Sequence, residues 1–279
     1  PVEFIADTRR TNGQAFGPDG RLYAVATGTR EILAYPAAGG TPTVIAREIA
    51  GNDLVVAHTG HLYVTNPPAG GTNEPSRIWL IKPDGAKQVV DTGLRYANGI
   101  ALSPDQTLLY VADYRSHWVY SYVIQPDGTL AHKQRYFHLH LPDDPRGSAA
   151  DGLCVDTQGR LYVTSAVGIQ FCDQAGRVNG ILKQPEPGAW ATDVCFGGKN
   201  LDELYLTAGD KLWRRRTRAQ GVLPYRDPIV PPAPRLCVRR LRRGRSETPS
   251  SRTVSSQFPV SRFQIGNLDL ETWDSPSVL

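Results

Sequence analysis

The sequence predicts an all-β fold, a β-propeller of four-stranded blades with little helix. The prediction rests on a small polar pair that recurs five times, each copy followed 10 to 12 residues later by a Leu-Tyr pair. Successive copies lie 40 to 53 residues apart, which is the period of one propeller blade. No stretch shows the sustained periodicity of an amphipathic helix. The polar pairs begin at Asn12, Asn52, Asn98, Asp151 and Thr192, and the Leu-Tyr pairs begin at Leu22, Leu62, Leu109, Leu161 and Leu204.

Each repeat divides into short apolar or alternating segments separated by turn residues, as expected of strands. In the third repeat the predicted strands are 98–103, 108–113, 118–124 and 134–141. In the first they are 14–17, 21–27, 31–35 and 43–46, and the second repeat has its third and fourth strands at 77–81 and 87–91. The fourth repeat gives 161–165 and 168–172, and the fifth gives 194–196, 204–207 and 211–214.

The repeats end near residue 218, and the composition then changes. Residues 222–236 contain five prolines, which do not serve inside a central strand, so we interpret them as an extended closing segment. The predicted organisation is therefore a propeller domain over 1–236 and a basic, Ser- and Pro-rich tail over 237–279, outside the repeats.

The net charge of +4 comes mainly from that tail, which carries seven arginines against four acidic residues. The run from Arg239 to Arg245 could contact a nucleic acid, but a solvated tail is the favoured interpretation, so nucleic acid is not expected as a partner. No apolar stretch approaches the roughly 20 residues of a membrane helix. No signal peptide is visible, and the compartment stays open between cytoplasm and periplasm.

Cys154 and Cys195 occupy the same place in their repeats, three residues after the opening position. The other copies have Ala15, Val55 and Ala101 there. This pattern predicts a tight, buried strand position in which the thiols stay free, with a disulfide as the less favoured alternative.

The five opening residues are polar, and a propeller brings them to one mouth of its central channel. Asn and Asp oxygens suit a hard cation such as Ca²⁺ or Mg²⁺. Each residue taken alone is also an ordinary turn residue at a strand entrance. Recurrence at one repeat position favours a ligand site over the turn interpretation.

Three segments resemble the regucalcin/gluconolactonase (senescence-marker-protein) family of six-bladed propellers. They are Asn-Asp-Leu-Val-Val from Asn52 with Gly-His-Leu-Tyr from Gly60, Asn-Gly-Ile-Ala-Leu-Ser-Pro-Asp from Asn98 with Leu-Tyr-Val-Ala-Asp from Leu109, and Asp-Gly-Leu-Cys-Val-Asp from Asp151 with Gly-Arg-Leu-Tyr from Gly159. The resemblance extends over about residues 4–236 and implies hydrolysis of a small-molecule lactone.

The resemblance also implies roles for individual residues. Asn98 and Asp151 fall on two ligands of a divalent cation, most simply Ca²⁺, with Mg²⁺, Mn²⁺ and Zn²⁺ as alternatives. Asp151 is the expected catalytic carboxylate, because it is the only acidic residue that opens a repeat. Asn52 falls on a substrate-contacting position, and Asp53 beside it and Asn12 are further candidates for substrate binding.

One departure from the family pattern concerns the remaining metal ligand, a Glu in a Glu-Gly-Pro strand. This sequence has no such motif, and it shows five repeats where the family has six. The departure keeps open a non-catalytic propeller that binds a ligand or protein partner, and it leaves homo-oligomerisation undecided.

Overall fold

The structure, a computed structural model, describes residues 7–70, 72, 74–141, 147–186, 188–234 and the backbone of 270–272. These residues form five four-stranded sheets, arranged as the blades of a β-propeller, and the described part of the chain contains no helix. The predicted fold class is confirmed. Within the described residues, no helix has the length and apolar character needed to span a bilayer.

The strands follow the chain blade by blade. Blade 1 contains β1 (Thr11–Phe16), β2 (Leu22–Ala26), β3 (Glu31–Tyr35) and β4 (Thr43–Arg47), and blade 2 contains β5 (Leu54–Val56), β6 (Leu62–Asn66), β7 (Arg77–Ile81) and β8 (Lys87–Thr92). Blade 3 contains β9 (Ala97–Leu102), β10 (Leu108–Asp113), β11 (Trp118–Ile124) and β12 (Leu130–His138). Blade 4 contains β13 (Leu153–Val155), β14 (Leu161–Ser165), β15 (Gly168–Cys172) and β16 (Val178–Leu182). Blade 5 contains β17 (Ala191–Gly197), β18 (Glu203–Ala208), β19 (Lys211–Arg216) and β20 (Leu270–Thr272).

The first four blades are antiparallel meanders in chain order, so each begins with its innermost strand. The first strands of successive blades pack side by side from β1 to β17. Each recurrent polar pair lies at the start of such a strand, and each Leu-Tyr pair lies in the second strand of its blade. We call the end of the ring that carries the polar pairs the head end, and the opposite end, which carries the turns between first and second strands, the turn end.

The fourth strand of blade 5 comes from far along the chain. Leu270–Thr272 pairs in parallel with β19, with Leu212 opposite Leu270. A parallel partner requires a long connection, and here residues 217–269 separate the two strands. Residues 237–279 were predicted to lie outside the repeats, but three of them, Leu270–Thr272, form the fourth strand of blade 5. The rest of the tail, with Arg239 to Arg245, lies outside the described residues.

Apolar residues between adjacent blades form the core. Four clusters each join two neighbouring blades, and a fifth lies within blade 1. Val25 and Val64, for example, are both fully buried between blades 1 and 2. This packing holds the first strands in fixed positions around the channel, which fixes the relative positions of their polar heads.

The Leu-Tyr pair has a structural role at the turn end. Its leucine is buried in the core of every blade. In two blades its tyrosine hydroxyl donates to the aspartate of the preceding turn, from Tyr23 to Asp19 at 2.9 Å and from Tyr162 to Asp156 at 3.0 Å. In blade 5, Tyr205 donates to Glu203, the first residue of β18, at 2.8 Å. The pair therefore anchors the second strand of each blade in the core and, in blades 1 and 4, closes the turn before it.

The proline-rich segment after the fifth blade crosses the turn end. Gly221 forms a β-bridge with Asp156, and the Pro224 carbonyl accepts a hydrogen bond from Gln106 Nε2 at 2.7 Å. The Ile229 amide donates to the Pro104 carbonyl at 2.8 Å. These bonds attach the segment to blades 3 and 4 without an added strand, as its prolines require.

Candidate functional site

Asn98 and Asp151 meet at the head end of blades 3 and 4. Asn98 is only 3% exposed, and its side chain hydrogen-bonds the Asp151 carboxylate. The Asn98 Oδ1 atom is buried and has no hydrogen-bond partner. A buried oxygen without a hydrogen-bond donor costs about 1–3 kcal/mol of stability, so a donor or a cation bound at this atom would be stabilising. The two residues that the resemblance paired as metal ligands are thus in contact.

The Asp151 carboxyl is held in an environment that disfavours its charge. Removal from water raises its pKa to about 7, the negative charge of Asp193 acts in the same direction, and the hydrogen bond from Asn98 opposes both. A carboxylate with a pKa near neutrality can accept a proton at physiological pH, which is what a general base requires.

Asp53 is held by backbone donors of two blades. Its Oδ1 accepts the Leu54 N–H at 2.7 Å, and its Oδ2 accepts the Ile100 N–H from blade 3 at 3.2 Å. Removal from water, followed by repulsion from Asp193, nevertheless keeps its pKa well above the usual range. A Cβ on Gly13 would lie 2.5 Å from the Asp53 Cα, so only glycine permits this approach of blade 1. Asp53 therefore links the heads of three blades.

Asp193 is a third carboxylate near the heads of the first strands, and it was not among the predicted site residues. The repeat alignment placed Thr192 at the head of blade 5, but the Thr192 hydroxyl is already paired with Thr207 Oγ1 at 2.8 Å. Asp193 follows directly and is exposed. The surrounding protein atoms still remove part of its hydration and raise its pKa, against a hydrogen bond from the Val194 N–H. The signal in the sequence that could have identified Asp193 is its place as the acidic second member of the pair that begins at Thr192.

The amides of Asn12 and Asn52 remain open. Asn12 is exposed and Asn52 is half-buried, and neither side chain makes a hydrogen bond to another described residue. The backbone of Asn52 is fixed, because its carbonyl accepts the Gly13 N–H at 2.9 Å and its amide donates to the Thr65 carbonyl at 2.7 Å. A fixed backbone with a free amide suits recognition of a hydroxylated ligand.

The expectation of a buried thiol position is wrong for blade 5. Cys195 is exposed and Cys154 is half-buried, although both are free. On β17 the exposed Asp193 and Cys195 alternate with the buried Val194 and Phe196. Cys195 therefore shares the strand face of Asp193, and a small side chain there leaves the inner face of the strand open.

Three carboxylates near the starts of the first strands lack cationic side-chain partners among the described residues. Between described residues, no Lys, Arg or His forms an ion pair with Asp53, Asp151 or Asp193. In the same part of the chain, no three His, Cys, Asp or Glu side chains form a cluster ready to hold a metal ion.

Comparison with known proteins shows to which family this chain belongs. Residues 6–210 match the family described as the SMP-30/gluconolactonase/LRE-like region. The chain belongs to this family. The resemblance found in its repeats is thereby confirmed.

Individual relatives cover different parts of the chain. A gluconolactonase of Zymomonas mobilis is 30% identical over 230 residues, which are 76% of this chain and 64% of that protein. Chicken (Gallus gallus) regucalcin is 30% identical over 143 residues, 45% of this chain and 43% of that protein. A solved structure described as a Xanthomonas campestris gluconolactonase has a TM-score of 0.63 at 27% identity, with 74% of this chain and 71% of that one covered. The chain spans less than two thirds of the length of both curated relatives.

Proposed function

We propose that this chain hydrolyses small lactones, the cyclic esters of sugar acids, at the head end of its propeller. The observation that carries the proposal is the Asn98–Asp151 pair, in which a buried oxygen without a donor adjoins a carboxyl with a pKa of about 7. Family membership and the similarity to gluconolactonases support the same reaction class.

The residues present fit a hard divalent cation. Asn98 Oδ1 and the Asp151 carboxylate are oxygen ligands, and the absence of ion pairs among the described residues leaves their negative charge uncompensated. We propose Ca²⁺ as the cation, with Mg²⁺, Mn²⁺ and Zn²⁺ as alternatives. When bound, the cation would polarise the lactone carbonyl and stabilise negative charge on its oxygen.

The protein's own groups perform the remaining steps. Asp151 takes a proton from a water molecule, whose oxygen bonds to the carbonyl carbon. The ring C–O bond then breaks, and the ring oxygen takes the proton back from Asp151, so the product is the open hydroxy acid and the Asp151 carboxylate is regenerated. The free amides of Asn12 and Asn52 would hydrogen-bond the hydroxyls of the substrate. Asp53, whose oxygens accept backbone N–H groups, holds the heads of blades 2 and 3 in register.

The test is hydrolysis of glucono-1,5-lactone by the purified full chain near neutral pH, followed by acid release with added Ca²⁺ or with EDTA. Loss of the base predicts that Asp151→Asn lowers kcat/KM by about 10²- to 10⁴-fold. Asp210→Asn, which removes one exposed carboxylate from the same end of the ring, is the matched control and should keep the wild-type rate. Wild-type activity in the Asp151 variant would contradict the assignment.

A second candidate, a non-catalytic propeller that binds a ligand or partner, is favoured by one observation. The sequence contains no Glu-Gly-Pro segment to supply the family's further metal ligand. Cation binding without lactone hydrolysis in the same assay would support this candidate over the first.

A further inference from the structure

Asp193 lies at a local irregularity in the pairing of its strand. A β-bulge between Ala191 and Asp193 interrupts the pairing of β17 with β18. Bulges re-aim side chains and are common beside functional sites. Val194 and Phe196 then point into the apolar cluster between blades 4 and 5, while Asp193 lies on the opposite, exposed face.

Asp193 packs against the head of blade 4. A Cβ on Gly152 would overlap Asp193 Oδ1 and would lie 2.5 Å from the Asp193 Cα, so glycine at that position permits the approach of blades 4 and 5. The Gly152 N–H donates to the Thr192 carbonyl at 2.9 Å, which fixes this approach. Because Gly152 directly follows Asp151, these contacts place Asp193 next to the residues that open blade 4.

Asp193 also keeps a free ligand atom. Its Oδ1 accepts the Val194 N–H at 2.8 Å, and its Oδ2 receives no hydrogen bond from a described residue. Asp53 differs, because both of its oxygens accept backbone N–H groups. Of Asp53 and Asp193, only Asp193 has a carboxylate oxygen that accepts no hydrogen bond from a described residue.

A second, independent observation fits a cation at this place. Asn98 is 3% exposed, its side chain contacts Asp151, and its Oδ1 has no donor. A neutral donor would satisfy that oxygen but not the neighbouring carboxylate charge, whereas a metal ion accepts electron pairs from both.

We propose that Asp193 is the third protein ligand of the divalent cation, together with Asn98 and Asp151. The inference rests on the proposed function and adds a carboxylate from blade 5 to its site. The three Asp side chains do not stand as a closed cluster, which like charges would oppose, so cation binding would draw Asp193 toward Asp151. Hard cations prefer several charged oxygen ligands, and Asp193 supplies the second charge.

Calorimetric titration of the full chain with CaCl₂, after removal of bound metal with EDTA, tests this ligand directly. We expect Asp193→Asn to weaken Ca²⁺ binding by at least about tenfold, because a charged ligand is lost. Asp193→Glu should retain part of the affinity, and Asp210→Asn should bind as the wild type does. In EDTA the Asp193→Asn variant should melt no lower than the wild type, since it loses a repulsion, but Ca²⁺ should raise its Tm by less.

The outcomes separate this inference from the proposed function. Wild-type affinity in Asp193→Asn, with binding abolished in Asp151→Asn, would overturn the role of Asp193 and leave the proposed function standing. A wild-type protein that gives no heat with Ca²⁺ yet hydrolyses the lactone in EDTA would overturn the cation and its ligands together. A melting temperature well below the wild type in EDTA would show that Asp193 is structural, which also contradicts the proposal.

Discussion

The two ends of the propeller hold carboxylates in opposite states. At the turn end, Asp19 and Asp105 accept hydrogen bonds from their own turns, and these outweigh the effect of burial and lower the pKa of both residues. At the head end, Asp151 and Asp193 have few donors, and removal from water by the surrounding protein atoms raises the pKa of both. The first two aspartates have their negative charge compensated locally, whereas the second two have no cationic side-chain partner among the described residues.

In this repeated fold, the aspartates that stabilise the turns and the carboxylates that are available for chemistry therefore lie at opposite ends of the ring. The turn-end aspartates close the turns of blades 1, 3 and 4, and their donors lie within a few residues of them in the sequence. The head-end groups are neighbours only because the blades pack in a ring, and nothing nearby in sequence compensates them. An uncompensated group costs stability, and such costs concentrate at functional sites.

The largest effect on stability is expected from removing a turn-end carboxylate that is fully buried. Asp156 is 0% exposed; its Oδ1 accepts two backbone N–H groups, and its Oδ2 accepts from Arg160 Nε at 2.7 Å and from the Tyr162 hydroxyl. Asp156→Ala leaves these donors unpaired and should lower the free energy of unfolding by about 3 kcal/mol in urea. Tyr162→Phe, which removes one of the four bonds, should cost about 1 kcal/mol. Equal losses in the two variants would contradict this account.

The two ends should also respond oppositely to pH. An unfolded aspartate ionises near pH 4, whereas Asp151 in the fold does so at about 7, so between these values the folded state binds more protons. Stability of the metal-free protein should therefore fall as pH rises through that window. Asp19 and Asp105, with lowered pKa values, act in the other direction and lose their contribution as the solution becomes more acidic than about pH 4.

Urea unfolding in EDTA at about pH 5 and about pH 8 measures the head-end contribution. We expect the wild type to lose about 1–2 kcal/mol between the two, less than the full shift implies because Asp151 is partly exposed. Asp151→Asn should lose less, and Asp210→Asn should follow the wild type. An unchanged pH dependence in Asp151→Asn would show that its carboxyl is not the group that titrates.

The same contrast explains what the sequence could and could not predict. The repeats were readable because turn residues and the Leu-Tyr pair act within a few positions of each other. Asn98 and Asp151 were found through the family resemblance, and the packing of blades 3 and 4 brings them into contact. Asp193 was missed because its repeat was aligned on Thr192, and the bulge that re-aims the next residue leaves no mark in the residue pattern. β20 was missed because three residues paired in parallel from a distant segment carry no local signature.

The smallest effect is expected at a turn that repeats the Asp156 pattern in an exposed setting. Asp156 and Asp173 are each followed four residues later by an arginine, and both carboxylates accept backbone N–H groups and the arginine Nε. Arg177, however, is 72% exposed, and Asp173 has no tyrosine donor comparable to Tyr162 among the described residues. Water can replace the lost partners, so Asp173→Ala should cost about 1 kcal/mol or less, and added salt should reduce the difference from wild type.

Comparing Asp173→Ala with Asp156→Ala therefore varies burial while keeping the turn sequence pattern, Asp-x-x-Gly-Arg, the same. If both substitutions cost the same free energy of unfolding, the turn's local hydrogen bonds would account for its stability, and burial under the closing segment would add nothing. If Asp156→Ala costs about 2 kcal/mol more, the excess belongs to the Tyr162 contact and to the closing segment that bridges Asp156 and Gly221. The stabilisation of the Asp156 charge would then depend on packing between distant segments as well as on the local turn sequence. The head-end carboxylates likewise owe their surroundings to the packing of the blades.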